Sequence, residues 1–468
     1  MRAWLDAVRD NMKVCIIGAG PTGLGAAYRL TELGETDFRL FEREGHVGGL
    51  AASFLDNKGY TWDFGVHVLH SHYPYFDRLL DSVLPDGYLR HQRRSWIRQY
   101  DRFIPYPFQY NIRHLPRQAL WECVSGLLDI ARRNGEAPPT NFAEWVVYTF
   151  GTGIAEHFML PYNRKIWTVD PKEMSFHWIE ERVPVIDVKR VMSNVVLGTD
   201  DVSWGPNHTF QFPASGGTGA IWNAMAERLP PECLKLSHEL ESVDTAAKKV
   251  RFANGRSESY DHLISTLPLS RLTELCRMEK LAARTAGLKH TRVQVLGVAP
   301  DYPMPQALAD KSWIYCPSEK SAFYRLTPFS TFSPVHVPST DRCCSMLVER
   351  ALPADSRLGP DKFKAETFAG LEAGGFLTPL GDNTHTFAME ADYAYPVPTR
   401  DRDTILDGVL PALEELNIYS RGRFGAWKYE VANMDHCVMQ GVEIADRILS
   451  GTPEKTLPNP SLVNGKAS

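Results

Sequence analysis

The chain has 468 residues, enough for about three domains at roughly 150 residues each. Hydrophobic residues make up 43% and charged residues 23%, the balance of an ordinary globular chain, which excludes a disordered or fibrous protein. Lys plus Arg number 51 against 56 Asp plus Glu, a formal charge of −5, so no basic surplus announces a nucleic-acid partner.

No apolar run approaches the roughly 20 residues that span a bilayer, so no membrane partner is expected. The opening MRAWLDAVRDNMK puts charges where a secretory core would be apolar, and a cytoplasmic protein is expected. Met12-Lys13 reads like a second start, with residues 1–11 a dispensable extension. The cysteines are Cys15, Cys123, Cys233, Cys276, Cys316, Cys343, Cys344 and Cys437. They contain no CxxC, and they read as reduced thiols, not as a metal or disulfide framework.

In chain order, Val14–Ile17 is a short apolar run of the buried parallel-strand type. Pro21–Glu32 has helical spacing, and Phe38–Phe41 is a second strand. Residues 59–115 read as irregular, aromatic and His-rich, with Pro105 and Pro107 as breakers. Helical spacing then predicts Arg117–Arg133, Phe142–Phe150, Thr152–Phe158 and Met174–Arg182, followed by a loop over 200–209. Phe210–Phe212 is a strand, Ala220–Arg228 a helix, and Lys248–Asn254 and Tyr260–Thr266 are β-rich. Residues 290–395 alternate like an antiparallel sheet. Asp403–Leu416 and Asn433–Leu449 are the last helices, and a Pro-, Gly- and Ser-rich tail from Gly451 is expected to fray.

Gly18-Ala19-Gly20-Pro21-Thr22-Gly23 is GxGxxG between a strand and a helix. Gly18 allows the tight turn, Gly20 lets the backbone approach a pyrophosphate, and Gly23 lets helix and strand pack closely. The helix N-terminus offers free N–H groups and partial positive charge to phosphates. Glu42 ends the second strand, where a carboxylate can accept from a ribose hydroxyl. The following GHVGGL, with Gly48, Gly49 and Leu50, adds a second glycine pair and points to FAD over NAD. Gly422-Arg423-Phe424-Gly425 leads into the last helix, whose N-terminus suits an anionic reduced flavin.

Several stretches carry a resemblance: GAGPTGLGAAYRL at 18–30, YPFQYNI at 106–112, GTGIAEHFMLPYNRKIW at 151–167, WGPNHTFQFPASGGTGAIW at 204–222 and SRGRFGAWKYEVANMDH at 420–436. With these the chain resembles the UDP-galactopyranose mutases of eukaryotic (fungal-like) type from about Lys13 to Leu449. The resemblance implies an α/β protein: a Rossmann-like FAD-binding domain, an inserted helical domain and an antiparallel β-sheet substrate domain. The FAD-binding parts would be 12–115, 201–272 and 417–452, with the helical domain at 116–200, the sheet domain at 273–416 and a tail at 453–468.

The implied activity is that of an isomerase, an intramolecular transferase interconverting pyranose and furanose forms of a UDP-sugar, UDP-galactose by default. It would run through a covalent adduct between N5 of reduced FAD and the sugar, with NADPH or NADH as reductant. Arg182 and Arg325 match the family's diphosphate arginines, where a planar fork pairs with phosphate. Tyr315, Tyr395 and Tyr429 match diphosphate tyrosines. Tyr106, Phe108 and Gln109 match the uracil pocket, and Asn163, Trp167 and Asn207 positions near uridine and sugar. His67 matches a histidine beside the flavin ring. Gly65, Arg423, Asn433 and Met434 match cofactor positions, and Arg93 and Ser95 nicotinamide positions.

His67, His70 and His72 form HxxHxH, but no acid or Cys cluster beside them in sequence completes a metal shell, and no metal is expected. Val66, His70, Phe332 and Met434 depart from the family pattern. They leave open a pentose or deoxyhexose nucleotide sugar, or a binding homologue without turnover, and because fold alone does not fix function an amine-oxidase-like oxidoreductase is also left open. A homo-oligomer is also left open.

Overall fold

The computed structural model describes residues 12–84, 87–133, 137–179, 182–202, 208–381 and 383–465. Residues 1–11 and Asn207 lie outside the described residues.

Val14–Ile17 is buried at every position because it is the central strand of a five-stranded parallel sheet. The order across that sheet is Ile418–Ser420, His262–Ser265, Val14–Ile17, Phe38–Phe41 and Leu234–Lys235. Helices Pro21–Glu32, Pro74–Val83, Gly219–Ala226 and Met434–Ser450 pack one apolar cluster on one face, through Leu24, Leu79, Ile221 and Val438. The other face carries helices Leu269–Leu275 and Arg402–Glu414 and the three-stranded sheet 240–259, around Leu272, Leu406 and Val250. This is the three-layer plan expected of a sheet whose strands are apolar on both faces.

A seven-stranded mixed sheet forms the second platform, in the order His385–Pro396, His290–Ala299, Met346–Pro353, Arg325–Thr327, Trp313–Tyr315, Ser95–Gln99 and Arg102–Pro105. Helix Pro360–Ala373 covers one face through Phe363 and Leu371. The other face meets the helical region in the largest core, which joins Phe158, Tyr324 and Phe329.

Five expectations are corrected. Residues 59–115 are not irregular: they hold strands Thr61–Asp63, Tyr88–Gln92, Ser95–Gln99 and Arg102–Pro105 and helix Pro74–Val83. Pro74 and Pro105 sit at element ends, where a missing N–H costs nothing. Two of those strands belong to the second sheet, and helices Leu269–Leu275 and Arg402–Glu414 pack on the first, so the domain boundaries drawn at 115, 272 and 416 cut across the packing. Over 174–179 the expected helix Met174–Arg182 is instead irregular chain that follows a turn at Pro171–Glu173, with Met174 bridged to Thr399 and Trp178 Nε1 donating to Ser175 O at 2.8 Å. Residues 180–181 of that expected helix lie outside the described residues. Its apolar spacing reflects packing onto the aromatic core.

The fourth correction is that the helices near 142–158 run on to Trp167, through Gly151 at φ +76° and a π turn at Ala155–Met159. Helix Val188–Leu197 lies inside the region expected to be helical, whereas helix Pro360–Ala373 lies where a sheet was expected. Fifth, the tail from Gly451 does not fray up to Gly465. Glu454, Thr456 and Leu457 are buried, because Glu454 grips the buried Arg421 by two bonds of 2.6 and 2.7 Å. All eight cysteines are buried and unbridged. No described helix is long and apolar enough to cross a membrane.

Candidate active site

The glycine turn follows the central strand. Gly18 holds φ +96° and donates to Phe41 O at 2.7 Å, and a Cβ there would meet Thr266 Oγ1 at 2.1 Å. Gly20 caps the helix with no side-chain partner for the first N–H groups, and a Cβ on Gly20 would point into open space. Gly48 N donates to Ala19 O at 2.8 Å, so the second glycine pair, Gly48 and Gly49, lies against the first turn. Glu42 Oε2 accepts from Ala19 N at 2.7 Å and Oε1 from Glu44 N at 2.9 Å, which fixes the carboxylate and leaves lone pairs for a ligand. Leu50 is half-buried against the cluster on the other face of the sheet.

The last helix closes on this turn. A Cβ at Gly441 would lie 2.1 Å from Thr22 O, so the two helices cross backbone to backbone. Asn433 caps that helix, again without a side-chain bond to its N–H groups, and Met434 is half-buried beside the cluster. Arg423 donates to Ala394 O at 2.9 Å and Ala432 O at 3.1 Å, spanning both platforms. An open cradle at Gly20 and two uncapped helix starts fit the pyrophosphate and ring of an FAD.

His67 faces the same region. Its Nδ1 is buried with no hydrogen-bond partner among the described residues. Burial, then the charge on Arg423, pushes the imidazole down to about 4, so it is neutral at physiological pH. Gly65 abuts Glu349, whose Oε2 would lie 3.2 Å from a Cβ there. His72 is drawn away: its Nδ1 lies 2.7 Å from Asp435 Oδ2. Among the described residues, the group able to hold a metal ion is His72, Asp435 and His436. The sequence hid that set because His72 and Asp435 are 363 positions apart.

Opposite stands a wall of arginines and tyrosines. Arg182 lies over the Tyr429 ring at 5.2 Å and donates to Tyr429 O at 3.2 Å, while its buried Nη1 has no partner among the described residues. Arg423 lies over Tyr429 at 5.6 Å and over Tyr395 at 5.0 Å. Arg325 holds Glu349 with two bonds, and Tyr324 OH donates to the same carboxylate at 2.7 Å. Burial opposes the Arg325 charge, but Glu349 outweighs it and holds the guanidinium well above its usual range. Burial pushes the phenols of Tyr106, Tyr315 and Tyr395 up, so they stay protonated donors. Trp167 meets Tyr429 at 4.9 Å and Tyr395 at 5.8 Å, and Asn163 Oδ1 holds its indole N–H at 3.1 Å.

Tyr106 and Tyr315 are 5.5 Å apart, with Arg93 over Tyr106 at 5.6 Å. Phe108 is fully buried and stacked on Phe158 at 4.7 Å, so it backs the wall. Gln109 is buried too: Nε2 donates to Pro184 O at 3.0 Å and Oε1 has no partner among the described residues. Ser95 is buried, with Tyr106 N donating to its carbonyl at 3.1 Å. Phe332 packs among Phe210, Phe212 and Phe329.

Three participants were missed in the sequence: Glu349, Tyr324 and Asp63. A lone acid in the apolar run Met346–Pro353, and another between Trp62 and Phe64, were the available signals.

Residues 21–291, more than half of the chain, match the family described as flavin containing amine oxidoreductase. A solved structure of a reduced UDP-galactopyranose mutase matches with a TM-score of 0.94 at 40% identity over 98% of each chain. Cyclohexylamine oxidase from Brevibacterium oxydans IH-35A matches at TM-score 0.64 and 15% identity, over 94% of this chain and 99% of that one, which is likeness of fold. Curated relatives match over short stretches. Protoporphyrinogen oxidase 2 of Arabidopsis thaliana is 37% identical over 21% of this chain and 18% of its own length. Zeta-carotene desaturase of Zea mays is 36% identical over 17% and 14%. The chain thus spans less than a fifth of the length of those two relatives. It belongs to the flavin containing amine oxidoreductase family, and a whole-length relative within that fold is a UDP-galactopyranose mutase.

Proposed function

We propose that the protein is a flavin-dependent mutase that interconverts the pyranose and furanose forms of a UDP-sugar, UDP-galactose by default. The observation that carries this reading is the arginine row facing the neutral His67: Arg182 and Arg423 share the Tyr429 ring, Arg423 also lies over Tyr395, and Arg325 lies over Tyr324, whose hydroxyl is 3.4 Å from that of Tyr395. A leaving diphosphate needs cations and neutral hydrogen-bond donors, and this wall supplies both.

When bound and reduced, the flavin supplies the nucleophile for the anomeric carbon. The chain does the rest. Arg182 binds the diphosphate through Nη1, which has no partner among the described residues, and Arg325 adds charge while Glu349, itself held by Tyr324, fixes its plane. Tyr315, Tyr395 and Tyr429 donate to phosphate oxygens. Trp167, fixed by Asn163, and Tyr106, packed on Tyr315, exclude water from the sugar and the base. His67, neutral, orients the ring edge of the cofactor. Arg93, over the ring of Tyr106, suits a nicotinamide dinucleotide that delivers the electrons.

The family also includes amine oxidoreductases by its description. A pocket walled by three arginines repels an ammonium substrate, which favours the mutase. Eight buried, unbridged thiols agree with a reducing, cytoplasmic setting.

The test is to mix dithionite-reduced protein with UDP-galactofuranose and follow UDP-galactopyranose by chromatography, with oxidised protein as control. Conversion in the reduced sample alone is expected. No conversion, with UDP still bound, sends the assay to UDP-pentoses and UDP-deoxyhexoses. Flavin reduction by an amine, with hydrogen peroxide formed, would replace the reading.

A further inference from the structure

Asp63 ends the strand Thr61–Asp63 and is fully buried. Its Oδ1 accepts from Ser53 Oγ at 2.5 Å, and Thr218 N donates to the carboxyl at 3.2 Å. Ser53 Oγ itself accepts from Gly219 N at 2.7 Å, so its one hydrogen goes to Asp63. The remaining oxygen, Oδ2, lies 2.7 Å from Thr218 Oγ1. That same hydroxyl lies 3.0 Å from the carbonyl oxygen of His67.

A threonine hydroxyl has one hydrogen. A carbonyl oxygen is an acceptor, and so is an ionised carboxylate. With Asp63 ionised, one hydrogen would face two acceptors and one contact would be left unmade. With a proton on Oδ2, both contacts close: Oδ2–H donates to Thr218 Oγ1, and Thr218 O–H donates to His67 O. We infer that Asp63 is a positioning residue whose carboxyl proton, relayed through Thr218, seats the main chain of His67 against the cofactor. Loss of that proton turns the Thr218 hydroxyl to Asp63 and leaves the His67 carbonyl without its donor, which frees the segment from Gly65 to His67.

Burial supports this. It lifts Asp63 to about 6, against the opposing bonds from Ser53 and Thr218. The groups facing the carboxyl are Ser53 from the preceding strand, Thr218 and the Gly217 turn from the start of helix Gly219–Ala226, and the His67 carbonyl. No cation or second carboxylate among the described residues acts on it. The functional part of the inference rests on the reading that His67 lies beside a flavin; the proton assignment does not.

The experiment uses FAD-loaded protein across a pH series spanning about 6. Infrared difference spectra should show the carbonyl stretch of a protonated carboxylic acid, lost as pH rises through that point and absent from Asp63→Asn. The flavin absorption spectrum should titrate in parallel. In Asp63→Asn the amide donates permanently to Thr218, so the flavin spectrum should stay in the low-pH form throughout. Thr218→Val should keep the carboxyl band while uncoupling it from the flavin. If Asp63→Asn fails to fold, the wild type and Thr218→Val decide. Absence of the band from wild type, or a flavin titration in Asp63→Asn like that of wild type, overturns the proposal. Failure to bind flavin with the band intact overturns the functional reading and leaves the proton assignment standing.

Discussion

Arg325 and Glu349 grip each other fork to fork, Nε to Oε1 at 2.7 Å and Nη2 to Oε2 at 2.6 Å. Glu349 therefore occupies the face of Arg325 that an anion would seek. Glu349→Ala should destabilise the fold by about 3–5 kcal/mol, since a largely buried guanidinium loses its carboxylate. Glu349→Gln keeps the shape, should cost less, and should tighten UDP binding by freeing Arg325 charge. Urea denaturation and isothermal titration calorimetry check the two halves.

Arg182 is the contrasting cation, with Nη1 unpartnered among the described residues. Arg182→Ala should weaken UDP binding about tenfold or more, the loss of a charged hydrogen bond of about 1.5–3 kcal/mol. Its folding stability should change little. Equal losses in stability and affinity would make Arg182 a structural residue.

Gly441→Ala places a Cβ 2.1 Å from Thr22 O, a backbone atom that cannot swing aside. The crossing of helices Pro21–Glu32 and Met434–Ser450 must open. Stability should fall by about 1–3 kcal/mol. FAD should be held less tightly, which flavin release on thermal unfolding will show.

Acid should destabilise the protein before its carboxylates titrate. Burial pushes His67, His336 and His436 down to about 4. Between the ordinary value of 6.5 and about 4, the unfolded chain binds protons that the folded one does not, so this stability is present above 6.5 and lost as pH falls through the window. Asp63, raised from 3.8 to about 6, works the other way, its contribution lost as pH rises. Three histidines outweigh one aspartate, so the denaturation midpoint should fall from about pH 6.5 to about pH 4. His336→Asn should flatten that slope.

Glu454→Ala should unseat the tail. Arg421 is buried, and Glu454 supplies two of its bonds and another to Arg447 at 2.7 Å. A loss of about 3–5 kcal/mol is expected. Limited proteolysis should then cut near the C-terminus first.

The glycine turn, Glu42 and the last helix were legible because each depends on spacing along one short stretch of chain. Arg182, Arg325 and the tyrosines came from the resemblance, since an arginine carries no local mark of its ligand. What stayed hidden was pairing at a distance. Glu349 meets Arg325 only because their strands are neighbours, and Asp63 meets Thr218 across 155 positions. The tail misled through composition, because its loop-forming residues are held in place by Glu454.

The parallel sheet takes its central strand from Val14–Ile17 and an edge strand from Ile418–Ser420. A ribosome must therefore release nearly the whole chain before that sheet can be completed. Helices Arg117–Ala131 and Phe142–Ile154 pack against each other and are neighbours in sequence, so they can pair while synthesis continues. Until residue 420 emerges, His262–Ser265 keeps an open edge, so translation rate and chaperone cover over this interval set how much protein reaches a flavin-binding state.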